Sequence, residues 1–174
     1  MKVEYDENKT VKHGYYNGIN DEYKIINNLI CLYDFDNTNE NFITMTNHLQ
    51  PEFVRGAVRR SHDSISIEKI TALHCDIVDI GLVFKGYKPM CYVEDDDMPD
   101  FFNQLGLQII TFKQQYGKKT RREHIIYKDV LLKDRATFLA NHIQQLLTED
   151  KEHHYIMGDY LGYPKEDVDY FVYR

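Results

Sequence analysis

The sequence predicts an α+β fold: a small central, mostly antiparallel sheet over about residues 81–129, with helices from the N-terminal part and from a C-terminal helical segment. Two observations carry this. Short β-rich runs bounded by turn residues cluster in the middle of the chain, and apolar residues at helical spacing lie on both sides of them. Segregated strands and helices point to α+β rather than alternating βαβ units. With 174 residues, 43% hydrophobic and 28% charged, the chain reads as one globular domain, 1–174. A chain of this length buries roughly two-thirds of its unfolded surface and needs no disulfide or metal to fold.

Residues 1–20 read as an irregular polar arm, with turn residues at Gly14, Asn17 and Gly18. In 21–33, Tyr23, Ile26, Leu29, Ile30 and Tyr33 keep helical spacing, although the apolar run 29–33 also fits a strand. Residues 34–50 are polar and Asn-rich, which predicts a loop. Pro51 suits the first turn of a helix over about 51–60, and Ile70, Leu73 and Ile77 predict another over about 66–78.

The central sheet is assigned to Gly81-Leu82-Val83-Phe84, Met90-Cys91-Tyr92-Val93, residues 107–112 and His124-Ile125-Ile126-Tyr127. Pro99 opens a short helix at about 100–105, with Gly106 as its C-cap, and 114–122 reads as a polar connection with a hairpin tip. The segment 134–174 is helical. Asp134 is expected to cap a helix over about 135–148, with Phe138, Leu139, His142, Ile143, Leu146 and Leu147 on one face. A second helix is expected over about 150–161. Gly162 ends it, and Pro164 starts the last helix, whose apolar side is Val168, Phe171 and Val172.

Composition narrows the function classes. The net charge of −7 disfavours nucleic acid as the principal partner, because phosphate binding requires a positive field. The same charge suits a basic protein partner. Three widely spaced cysteines, Cys31, Cys75 and Cys91, form neither a disulfide framework nor a zinc ribbon, and imply reduced thiols. The N-terminal stretch lacks the apolar core of a secretory signal, and no run reaches the length of a membrane span. A cytoplasmic protein is therefore expected, in host cytoplasm if the source is viral. The 14 Tyr, with no Trp, predict several tyrosines at the surface or a groove, compatible with a homodimer.

Several constellations contain functional residue types. Lys118, Lys119, Arg121 and Arg122 beside Tyr116 form a basic patch, which with Arg55, Arg59 and Arg60 could meet phosphates. His62-Asp63 and His74-Cys75-Asp76 with Asp79 contain metal-ligand types without a complete ligand set. Glu94-Asp95-Asp96-Asp97 with Asp100 lacks calcium-loop spacing. No metal site is assigned on these grounds.

The run Leu29-Ile30-Cys31-Leu32-Tyr33 followed by Asp34-Phe35-Asp36 resembles motif one of the haloacid-dehalogenase-like phosphatases. That resemblance implies Asp34 as nucleophile, Asp36 as acid/base, and magnesium between them. Thr111, one of Lys113, Lys128 or Lys133, and Asp159 would supply the later motifs. No second acid follows Asp159 at the usual short spacing, and too few residues follow it for a closing strand and helix.

A second resemblance covers about 80–174. His154-x-x-x-Gly158-x-x-Leu161-Gly162-Tyr163-Pro164, then Asp167-Val168, is similar to the C-terminal signature of a family of uncharacterised archaeal, bacterial and phage proteins. Asp79 with Gly81, and Lys88-Pro89, fit its upstream part. Many relatives carry two cysteines where this chain has Asp167 and Val168. The family implies architecture rather than an activity. Gly158, Gly162 and Pro164 have structural explanations, which leaves His154 and Tyr163 as candidate ligand-binding residues for a small molecule.

The expected function is a noncatalytic binding or regulatory protein acting on a protein partner without a cofactor. Asn-, Ile- and Tyr-rich composition resembles AT-rich phage coding, so a host-directed inhibitor is one form of it. The alternatives are a magnesium-dependent phosphatase or phosphotransferase using Asp34 and Asp36, and nucleic-acid binding through 116–122.

Overall fold

The computed structural model describes residues 39–51, 54, 76–94, 101–147 and 150–173. Within them the architecture is α+β. Elements run α1 (Asn39–Thr46), α2 (Asp76–Phe84), β1 (Met90–Val93), α3 (Phe101–Gln104), β2 (Gln108–Tyr116), β3 (Lys119–Tyr127), a 3-10 turn (Val130–Leu132), α4 (Lys133–Leu146), α5 (Lys151–Leu161) and α6 (Lys165–Val172). The described strands form one antiparallel sheet in the order β1-β3-β2. The expected arm over 1–20, the expected helix over 21–33, residues 52–53 and 55–60 of the one expected over 51–60, Pro99, and residues 66–75 lie outside the described residues.

Strand alternation sends side chains to two faces, and each face is covered. Cys91, Val93, Ile109 and Ile126 pack with Phe42, Met45, Val78, Leu82 and Phe102 from α1, α2 and α3. Met90, Ile125 and Tyr127 pack with Ala136, Leu139, Leu146 and Leu161 from α4 and α5. Central β3 is buried from Glu123 to Tyr127, because both of its faces are covered there.

Four expectations are corrected. Residues 39–46 are helix α1, not loop. Phe42, Met45 and Leu49 are buried at spacings of three and four, and the Phe42 ring centroid lies 5.0 Å from that of Phe102. Gly81-Leu82-Val83-Phe84 is the end of α2, not a strand. A four-residue apolar run has no period of its own. Here Gly81 decides the packing, since a Cβ there would come within 2.5 Å of Leu49 Cδ1.

The expected connection 114–122 is paired strand to a two-residue turn at Gly117 and Lys118, with Gly117 at φ +59°. Its alternation is hidden because this end of the ribbon is mostly solvated on both faces. Asp134 lies in the first turn of α4 rather than at its cap. The capping carboxylate is Asp129, which accepts from the Leu131 N–H at 2.9 Å and starts the 3-10 turn upstream.

The C-terminal region follows its signals closely. Asp150 caps α5 and Gly162 ends it at φ +77° in the left-handed region that favours glycine. Gly158 lets α6 approach, as a Cβ there would meet Val168 Cγ2 at 2.4 Å. On α4, Leu139, Ile143 and Leu146 are buried as expected, whereas Phe138, Leu147 and, on α6, Phe171 are exposed. Phe138 stacks on the exposed His142 at 4.3 Å instead of entering the core.

Candidate functional site

Three positions of the C-terminal signature and its upstream part meet at the start of β1. Lys88 Nζ donates to Asp79 Oδ2 at 3.1 Å and to the Tyr163 hydroxyl at 3.2 Å, and lies 4.3 Å from the Tyr163 ring centroid. The Lys88 side chain is 1% exposed, while Asp79 retains 16%. Burial alone would push the ammonium down, but Asp79, with Tyr163 and Cys91 nearby, outweighs it and holds the pKa above its ordinary value. Burial, reinforced by Asp79, holds the neighbouring Cys91 thiol well above its ordinary value. A protonated amine has no lone pair to attack with, and a protonated thiol is a poor nucleophile. This triad is a lock joining α2, β1 and the α5–α6 corner. Beside it, Gly162 lies so close to Pro89 that a Cβ would approach Pro89 Cδ to 2.2 Å.

Tyr163 is therefore committed to Lys88. His154 is on α5, its ring edge-on to Phe171 at 4.9 Å. Tyr163 lies beyond the helix C-cap, and the two side chains share none of these contacts.

The basic patch divides between the two faces of the β2–β3 ribbon. Register pairs Lys113 with Arg122 and Tyr116 with Lys119. Alternation puts Lys113 and Arg122 on one face, and Tyr116, Lys119 and Arg121 on the other. Lys113, Lys118, Lys119, Arg121 and Arg122 are all exposed. Inward of Lys113 on its face, the Thr111 hydroxyl and His124 Nδ1 share a 3.0 Å hydrogen bond.

Residues missed in the sequence lie on the Tyr116 face. Tyr116 donates to Glu123 Oε1 at 2.6 Å, and Tyr92 donates to Glu94 Oε1 at 3.2 Å. Arg121 reaches Glu94 Oε2 at 3.3 Å, with its guanidinium 5.6 Å from the Tyr116 ring. Glu123 is fully buried. Burial, then the hydroxyl of Tyr116 and the carboxyl of Glu123, push the Tyr92 phenol far up, and the Glu123 hydrogen bond raises Tyr116. The available signal was a charged residue in period-two step with Ile125 and Tyr127 on a strand that packs.

The phosphatase-like residues stand apart where they are described. Asp159 is on the exposed side of α5, 4.0 Å from Arg135. Lys128 donates to the Phe84 carbonyl at 2.8 Å, and Thr111 is paired with His124. Asp34, Asp36, Cys31, Cys75, His62, Asp63, His74, Arg55, Arg59, Arg60, Asp95, Asp96, Asp97 and Asp100 lie outside the described residues. Among the described residues no three His, Cys, Asp or Glu side chains converge to hold a metal, and no helix is long and apolar enough to cross a membrane. No family model, no curated protein and no solved structure matches the chain.

Proposed function

We propose that the chain is a noncatalytic binding protein that uses the outer half of the β2–β3 ribbon to engage an acidic protein partner. The observation that carries this is Lys113 directly opposite Arg122 on an exposed ribbon face, with Lys118 at the tip. Exposed cations gathered at one end of an acidic chain form a local positive field that suits an external anionic group. The Lys88 triad is buried and paired within itself.

The net charge of −7 favours a compact acidic patch on a protein over a long polyanion, which the rest of the surface would repel. AT-rich-type composition and the C-terminal resemblance support a phage-type, host-directed role. The test is affinity capture from a bacterial lysate with wild-type chain and with Lys113→Glu/Lys118→Glu. A protein held by the first and lost from the second supports the reading. An identical set from both baits refutes it. The same cations favour nucleic acid as the second reading, and steeply salt-dependent oligonucleotide binding that shallows in the variant would put that reading first.

A further inference from the structure

β2 lies at the edge of the sheet, and among the described residues no strand pairs with its outer side. The phase of its backbone follows from the hairpin. Tyr116 pairs with Lys119 around a two-residue turn, and such a closing pair is hydrogen-bonded. Alternation then turns the N–H and C=O of Ile110, Phe112 and Gln114 toward β3, and those of Ile109, Thr111, Lys113 and Gln115 outward. The Gln115 carbonyl fits this phase, because it accepts from Gln144 of α4 at 3.3 Å. That contact closes one end of the edge. At the other end the Leu107 N–H donates to the Phe102 carbonyl. The open stretch is therefore 109–113.

An open strand edge is a template for another strand, and proteins blunt such edges with short strands, prolines, bulges or charges. β2 runs from Gln108 to Tyr116, pairs one to one with β3 and has no proline. Its single charge is Lys113. Beside the edge, Ile109, Ile110 and Phe112 are only half-buried.

The open stretch is complementary to itself. In an antiparallel copy centred on Thr111, Ile109 faces Lys113 of the other chain, and all three outward residues of each copy find partners. A centre at Ile110 would waste Lys113 on the occupied Leu107, and a centre at Phe112 would waste Ile109 on the occupied Gln115. The Thr111 centre also sets Phe112 of each copy against Ile110 of the other, a favourable aromatic–β-branched pair. It keeps the two Lys113 residues about 13 Å apart along the strands, so like charges do not meet.

We propose that two copies of the chain pair through the β2 edge, antiparallel about Thr111, and join their three-stranded sheets into one. The contact is made by backbone groups, and the Lys113 side chain stays on the ribbon face. The inference therefore does not depend on the acidic partner proposed for that face.

Sedimentation equilibrium of the full chain should show a monomer–dimer equilibrium with a Kd on the order of 1–100 µM, as suits a single strand pair. Lys113→Pro removes an outward N–H that β3 does not use, and should weaken the dimer about tenfold or more, the loss of backbone bonds at both ends of the pairing. Lys113→Glu keeps the backbone and should dimerise like wild type, even where it loses the acidic partner. Amide exchange carries the test if Lys113→Pro fails to fold. The Ile109, Thr111 and Lys113 amides should be protected only at high concentration, and those of Ile110 and Phe112 at every concentration. A monomer up to about 0.5 mM, assembly beyond the dimer, an equally dimeric Lys113→Pro, or outward amides whose exchange ignores concentration would each overturn the pairing.

Discussion

Lys88 Nζ lies 3.1 Å from Asp79 Oδ2, yet the two side chains are buried unequally, at 1% and 16% exposure. The pair spans the turn between α2 and β1, and the Tyr163 hydroxyl ties it to the C-terminal helices. This asymmetry gives the pair an unequal response to mutation.

Asp79→Leu strands a charge with almost no water, and should cost about 3–5 kcal/mol. Lys88→Met leaves a carboxyl that can still hydrate, and should cost less, about 1–3 kcal/mol. The double variant should recover much of the Asp79→Leu loss. Urea denaturation of the three chains checks the order, and equal losses from both single variants would show that burial does not control the pair.

Gly158 faces the Val168 side chain with no room for a methyl group. Gly158→Ala should destabilise by about 1–3 kcal/mol through overpacking. Val168→Ala in the same chain should relieve part of that loss, since the clashing atoms are Val168 Cγ2 and Cγ1. Gly162→Ala should not be relieved by it, because its penalty is the left-handed backbone and the Pro89 ring. Melting temperatures of the single and double variants separate the two causes.

Stability should fall in alkali. Burial holds the Cys91 thiol above its ordinary 9.0 and the Tyr92 phenol above its ordinary 10.0. Lys88, despite burial, is held above its ordinary 10.5 by Asp79. The folded chain thus keeps protons that the unfolded chain releases as pH rises through those ordinary values. The contribution is complete below about pH 9 and is lost progressively above it. A urea midpoint that stays level or rises between about pH 8 and pH 11 would contradict this.

Lys113→Glu creates an opposite-charge pair with Arg122 across the ribbon. It should stabilise the chain by about 0.2–1 kcal/mol while weakening capture of an acidic partner. A variant that binds as well as wild type would remove the ribbon face from the interface.

The C-terminal helices were legible in the sequence because their stops are chemical and local. Gly162 and Pro164 act through their own backbone and first neighbours, so the residues alone placed the end of α5 and the start of α6. Strand β1 and the hydrophobic ends of β2 and β3 were legible for a similar reason, being short apolar runs next to turn residues. Tertiary packing decided the rest. Residues 81–84 are helical because Gly81 admits α1, a contact no local pattern encodes. The polar ribbon 114–122 is strand because backbone pairing, not side-chain burial, holds it in register. Lys88, Asp79 and Tyr163 form a triad, and Glu94, Tyr92, Tyr116 and Glu123 a cluster, only because distant strands and helices are brought together. Chain spacing carries no record of that proximity, whereas a cap or a turn is complete within a few residues.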